Sequence, residues 1–153
     1  MSDLREVSVK DKGQIQADYL GLIQGNISRM ASNSALMKGF SATFMTAILG
    51  MSVAESVEWY YILIATIPMI AFIRLDIYYL QLEKRYRNLY SLVINKKINS
   101  NYYVLDFNAP VLEKRKNELF KNSGFFKTMC SISIWQFYIW FIALAIALII
   151  FIA

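Results

Sequence analysis

The stretch SISIWQFYIWFIALAIALIIFIA, residues 131–153, contains no charged residue, and its reading decides how the rest of the chain is understood. About 20 consecutive apolar residues carry a helix across a ~30 Å hydrocarbon layer. Residues 132–153 therefore read as a membrane span. Working outward, residues 57–73, VEWYYILIATIPMIAFI, have Trp59, Tyr60 and Tyr61 at one end and Arg74 just beyond the other. That is the pattern of an aromatic interface anchor and a snorkelling cation. Residues 35–54, ALMKGFSATFMTAILGMSVA, form a weaker third block because Lys38 and several Ser and Thr interrupt it.

A composition of 57% hydrophobic and only 18% charged residues argues against an ordinary soluble domain. The expected fold class is an all-α integral membrane protein with three transmembrane helices, 35–54, 57–73 and 132–153, and long helices extending into the cytoplasm. Between Arg74 and Lys127 eleven Lys or Arg face five Asp or Glu, whereas the turn before the second block carries only Glu55 and Glu58. The excess of cations on one side predicts that the N-terminus and residues 74–127 are cytoplasmic, with the Glu55–Glu58 turn and the C-terminal Ala153 outside. No signal peptide is visible, so insertion is expected to use the spans themselves. The chain has one Cys and no His. That excludes an internal disulfide framework and a metal site built on His or clustered Cys, and no cofactor is expected.

After the second block, Leu75, Leu82 and Leu89 recur every seven residues, with Tyr79, Tyr86 and Val93 four places after each. Residues 74–95 thus extend the span as a helix with a coiled-coil-like seam. Glu83 and Arg87 stand at i,i+4, and Asp76 lies two turns before Glu83. This is either a solvated face or a pairing between subunits. Asp76, Tyr79, Glu83, Tyr86 and Arg87 are the candidates for an oligomer or gating helix.

Residues 96–127 form a basic insert. Within it NAPVLEKRKNELFKNSG, from Asn108 to Gly124, reads as a helix with Asn108 as its cap. Lys96, Lys97, Lys114, Arg115 and Lys116 are the candidate ligand or partner contacts, with Tyr90, Tyr102 and Tyr103 interleaved. Three partners suit such a segment: anionic lipid headgroups, a nucleotide or single-stranded oligonucleotide, and an acidic protein. No Gly-rich phosphate loop sharpens the choice.

Residues 12–34 carry Ile15, Tyr19, Leu22, Ile23, Ile27 and Met30 at helical spacing, an amphipathic N-terminal helix that lies flat or joins a bundle. The first span is rich in small and hydroxylated residues, which suits close helix packing or the lining of a pore. Asn33, Lys38, Ser41, Thr43, Thr46 and Gly50 are the pore or gate candidates. Three spans enclose no channel alone, so conduction requires a homo-oligomer.

The segment QADYLGLIQGNISRMASNSALMKGFSATFMTAIL, 16–49, together with IRLDIYYLQLEKRYRNLYSLV, 73–93, resembles the small bacterial RipA-family octameric membrane proteins. It also resembles in layout the SLATT-type transmembrane effectors of phage-defence operons. The likeness covers the first two thirds of the chain. It implies a homo-oligomeric effector, a gated ion channel or pore that disrupts the bacterial inner membrane in antiphage defence. It further implies control by a cytosolic nucleotidyltransferase or sensor partner, or by a nucleotide or oligonucleotide. The alternative is a non-conducting membrane anchor or scaffold for a soluble partner enzyme. An enzyme is not expected, because there is no His for general base work and Asp76 and Glu83 lack a partner nucleophile or metal cluster.

Overall fold

The computed structural model describes residues 2–54, 59–98 and 104–152, with side chains described over 13–48, 50–51, 64, 67–98, 104–144, 146–147 and 150. The Glu55–Glu58 turn, Tyr102, Tyr103 and Ala153 lie outside the described residues. The chain is all-α. Helix α1 is Ser2–Ala54 and α2 is Trp59–Ile94; a 3₁₀ segment, Pro110–Arg115, leads into the single turn α3, Lys116–Leu119; α4 is Phe125–Met129 and α5 is Ile132–Ile152. Residues 12–34 and 35–54 therefore belong to one helix, and 74–94 continue α2 without a break.

The membrane architecture has to be corrected. Among the described residues no helix is long and apolar enough to cross a membrane. Over 35–54 the chain carries Lys38, whose ammonium is tied to a carboxylate, and hydroxyls at Ser41, Thr43 and Thr46. In α2, Pro68 stands inside the helix and Arg74 and Asp76 close off the apolar run. In α5 the polar side chains Ser133 and Gln136 fall within the first two turns. The finding overturns the integral-membrane fold class with spans 35–54, 57–73 and 132–153. With it go the inner-membrane localisation, the inside and outside assignment of the termini, and the ion channel or pore lined by Asn33, Lys38, Ser41, Thr43, Thr46 and Gly50.

The chain divides into two compact units, Met1–Met30 with Leu82–Ser123, and Ala31–Gln81 with Gly124–Ala153. In the first unit Tyr19 and Ile23, one turn apart on α1, meet Leu89, Leu92 and Val93 of α2, and Leu112 and Leu119 close the cluster. The spacing i,i+4 on α1 and i,i+3,i+4 on α2 puts each set on one helix face. Burying a Leu or Ile side chain contributes roughly 1.5 to 3 kcal/mol, so this cluster is what holds the short 110–119 segment down. Tyr19 Oη adds a 2.7 Å hydrogen bond to the Val104 carbonyl.

Helix α2 stops where the Lys96 amide bonds the Val93 carbonyl and the Lys97 amide bonds that of Leu92, each at 3.0 Å, with Lys96 at φ 51°. This is a Schellman ending, with a lysine in the left-handed position that glycine fills most cheaply. Asn108 does not cap the segment that follows. Its own amide instead bonds Asp106 Oδ1 at 2.9 Å, and Ala109 precedes Pro110 without a side-chain cap. In the second unit Met45 and Ile48 of α1, Met69 and Ile77 of α2, and Ile134 and Tyr138 of α5 form a separate core.

Candidate functional site

Two clusters of polar side chains stand out, one in each unit. In the second unit, Ser34 and Lys38 sit one turn apart on α1 and both reach Asp76 of α2. The Asp76 carboxylate is 0% exposed. Its Oδ1 accepts hydrogen bonds from Ser34 Oγ and from Lys38 Nζ, the latter at 2.8 Å. Its Oδ2 faces the same ammonium at 2.8 Å as a charge contact without hydrogen-bond geometry. Lys38 Nζ also donates to Ser34 Oγ at 3.1 Å, closing a triangle.

A buried carboxylate deprived of its only cation costs several kcal/mol, so Lys38 and Asp76 must act as a pair. Ser41, fully buried on the same helix, donates back to the Met37 carbonyl at 2.8 Å. Tyr138 of α5 is buried beside this group, and its Oη has no hydrogen bond of proper geometry. Burial pushes the Tyr138 phenol up to about 12, opposed by Ser41 and reinforced by the charge of Asp76.

The triangle resembles a serine activated by a lysine, but its electrostatics run the other way. Lys38 Nζ donates to Ser34 Oγ, and the serine in turn donates to Asp76, so the lysine sits on the donor side of the serine and not where a base would take its proton. The cluster is suited to fixing helix register rather than to nucleophilic chemistry.

The remaining candidates from 33–50 are spread out. Asn33 is half-buried, Thr43 and Thr46 are exposed and bond their own helix at Gly39 O (3.1 Å) and Ala42 O (2.9 Å), and Gly50 is exposed. Along α2, Tyr79 packs edge-on against Tyr78, Glu83 pairs with Arg87 at 2.7 Å, and Tyr86 lies 4.7 Å from the Phe107 ring. Asp76 therefore finds its partner within the chain, in Lys38, while Glu83, largely buried, pairs with the exposed Arg87.

In the first unit a groove of about 280 Å³ is lined by Asn88, Ser91, Leu92, Asn95, Lys97, Glu118 and Lys121, so that of the basic candidates only Lys97 borders it. The Asn88 amide bonds the carbonyls of Leu119 (2.8 Å) and Lys121 (2.9 Å), and so fastens α3 and the residues after it to α2. Glu118 bridges two cations, Lys97 at 2.7 Å and Arg115 at 2.9 Å. Hydrogen bonding by Lys97 leads in holding the Glu118 carboxyl below the usual range, with Arg115 adding to it. Lys96, Lys114 and Lys116 are exposed and make no ion pair among the described residues.

The sequence singles out Lys97 and Arg115 and counts Lys121 among the basic residues of the segment, but gives no role to Asn88, Glu118, Ser34 or Tyr138. The Ser34 to Lys38 and Arg115 to Glu118 spacings are local; the contacts of Asp76, those of Asn88 and that of Lys97 with Glu118 join residues 21 to 42 positions apart. Among the described residues no group of three or more His, Cys, Asp or Glu could hold a metal ion. No family profile, curated protein or solved structure matches the chain.

Proposed function

We propose that this chain acts by association: copies assemble through apolar helix faces into a homo-oligomeric, non-enzymatic scaffold or effector, and the basic unit receives a partner or signal. The observation that carries the reading is the open face of α5. Trp135, Ile139, Ile142 and Ile146 follow one another at steps of four, three and four, and each is about half exposed or more. Ile150 on the same side is 72% exposed and the neighbouring Trp140 75%. The adjoining face of α5 is occupied, with Ile134 and Tyr138 in the core.

A stripe repeating every 3.5 residues, rich in β-branched side chains and flanked by no charge, is what helices present to one another in a bundle. Five such side chains at the order of 100 Å² each give two copies on the order of 1,000 Å² to bury, the scale of a specific interface. The lack of charge on either flank favours a second copy of the same helix, since nothing there would select a different charged partner. Isoleucine at successive seam positions favours more than two strands. The likeness of 16–49 and 73–93 to the RipA-family octameric proteins points the same way. The test is the mass of the purified chain by light scattering. A multiple of 17.7 kDa is expected, and a lone protomer at micromolar concentration would sink the reading.

A further inference from the structure

We propose that the groove of the first unit binds the phosphate of a small phosphorylated molecule of about nucleotide size, through Lys97 and Lys121. The inference rests on the reading of that unit as the signal-receiving part, and it names the chemistry of the signal. The groove, about 280 Å³, lies near the lower end of ligand sites and has no room for a folded partner. Its walls are of two kinds. Leu92, almost fully buried in the core, closes the floor, and Ser91, Asn95, Lys97 and Lys121 offer donors at the rim.

The donors are set up for an incoming acceptor. Asn95 Nδ2 donates to Ser91 Oγ at 3.2 Å, which leaves the serine proton uncommitted among the described residues. Lys121 forms no ion pair there, and its backbone is held in place because its carbonyl accepts from Asn88.

Glu118 is the apparent obstacle, being an acid within an anion site. The geometry removes it. Glu118 holds Lys97 and Arg115 at once, so Lys97 can turn to a phosphate while Arg115 keeps the carboxylate paired. The exchange is cheap because both partners of the Lys97 contact are about two-fifths exposed, and exposed pairs contribute little. Two ammonium groups on a phosphate then form charge-assisted bonds stronger than the contact given up.

The test is calorimetric titration of the full chain with adenosine monophosphate, with inorganic phosphate and with a short single-stranded oligonucleotide, all near physiological salt. Saturable one-to-one binding of the monophosphate is expected, weakened about ten-fold or more by Lys97→Gln with Lys121→Gln and tightened by Glu118→Gln. Lys114→Gln and Glu113→Gln make the same charge changes away from the groove and should leave binding as it was. No heat with either monophosphate or phosphate, binding of the oligonucleotide alone, or equal effects of Lys114→Gln and Lys121→Gln would each overturn the proposal. Light scattering on the same variants separates the two ideas: an oligomer that ignores phosphate sinks only the groove, and a monomer that binds phosphate sinks only the assembly.

Discussion

At the scale of single residues, Lys38 and Asp76 show how a buried pair constrains its neighbours. Lys38→Met alone leaves the Asp76 carboxylate buried with one serine for company and is expected to cost about 3 to 5 kcal/mol in urea unfolding. Lys38→Met combined with Asp76→Leu removes both charges and should recover most of that loss. Equal stability of the single and the double variant would show that the pair is not coupled.

Tyr138 adds a dependence on pH. Its folded-state pKa stands near 12 against 10.0 for a free phenol, so the folded protein holds this proton when the unfolded chain has released it. The contribution of Tyr138 is therefore intact below pH ~10 and declines from there to pH ~12, by at most about 2 to 3 kcal/mol. Between pH 9 and 11.5 the native chain should lose more stability than Tyr138→Phe, and parallel losses would refute the assignment. Tyr19, whose pKa burial also raises, titrates in both proteins and cancels. Lys96, held at φ 51° at the end of α2, gives the opposite kind of change. Lys96→Gly should raise the urea midpoint by an amount equal to about 1 kcal/mol, because glycine takes the left-handed conformation without steric cost.

At the scale of elements, what could be read in advance depended on periodicity. The stripe of Tyr19, Ile23 and Ile27 and the pair Leu89 and Val93 were visible as helix faces, and both enter the core of the first unit. The segment after Pro110 was not. Its apolar Val111, Leu112, Leu119 and Phe120 suit a helix, yet only one α turn forms: Leu112 enters the core from a 3₁₀ backbone and Leu119 from the single turn that follows. The expected membrane spans are not met either: 35–54 carries Lys38 and 57–73 carries Pro68, and among the described residues no helix is long and apolar enough to cross a membrane. Both polar clusters join residues distant in sequence, which no local pattern reports.

The glycines of α1 lead to a sharper expectation. A Cβ at Gly25 would meet nothing within 4 Å, so Gly25→Ala should stabilise the helix by roughly 0.5 to 1 kcal/mol through propensity alone. A loss of stability there in thermal melts would mean that something outside the protomer packs against that face.

For the molecule as a whole, the apolar side chains left open have an energetic consequence that a melting curve can read. Trp135, Ile139, Ile142, Ile146 and Ile150 stay in water in a lone protomer, and a second copy that covers them stabilises the folded state by mass action. Stability then depends on protomer concentration. Over a hundred-fold rise in concentration, from about 1 to 100 μM, the melting temperature of the native chain should climb by several degrees. Ile139→Asp places a charge in the seam at a side chain that is 46% exposed and stands about 100° round the helix from Tyr138 and about 140° from Ile134, so the core of the second unit is left as it was. Its melting temperature should be flat over the same range, and at low concentration should match that of the native chain. If both proteins climb together, the copies meet through some other surface; if neither does, the open face of α5 is not where they meet.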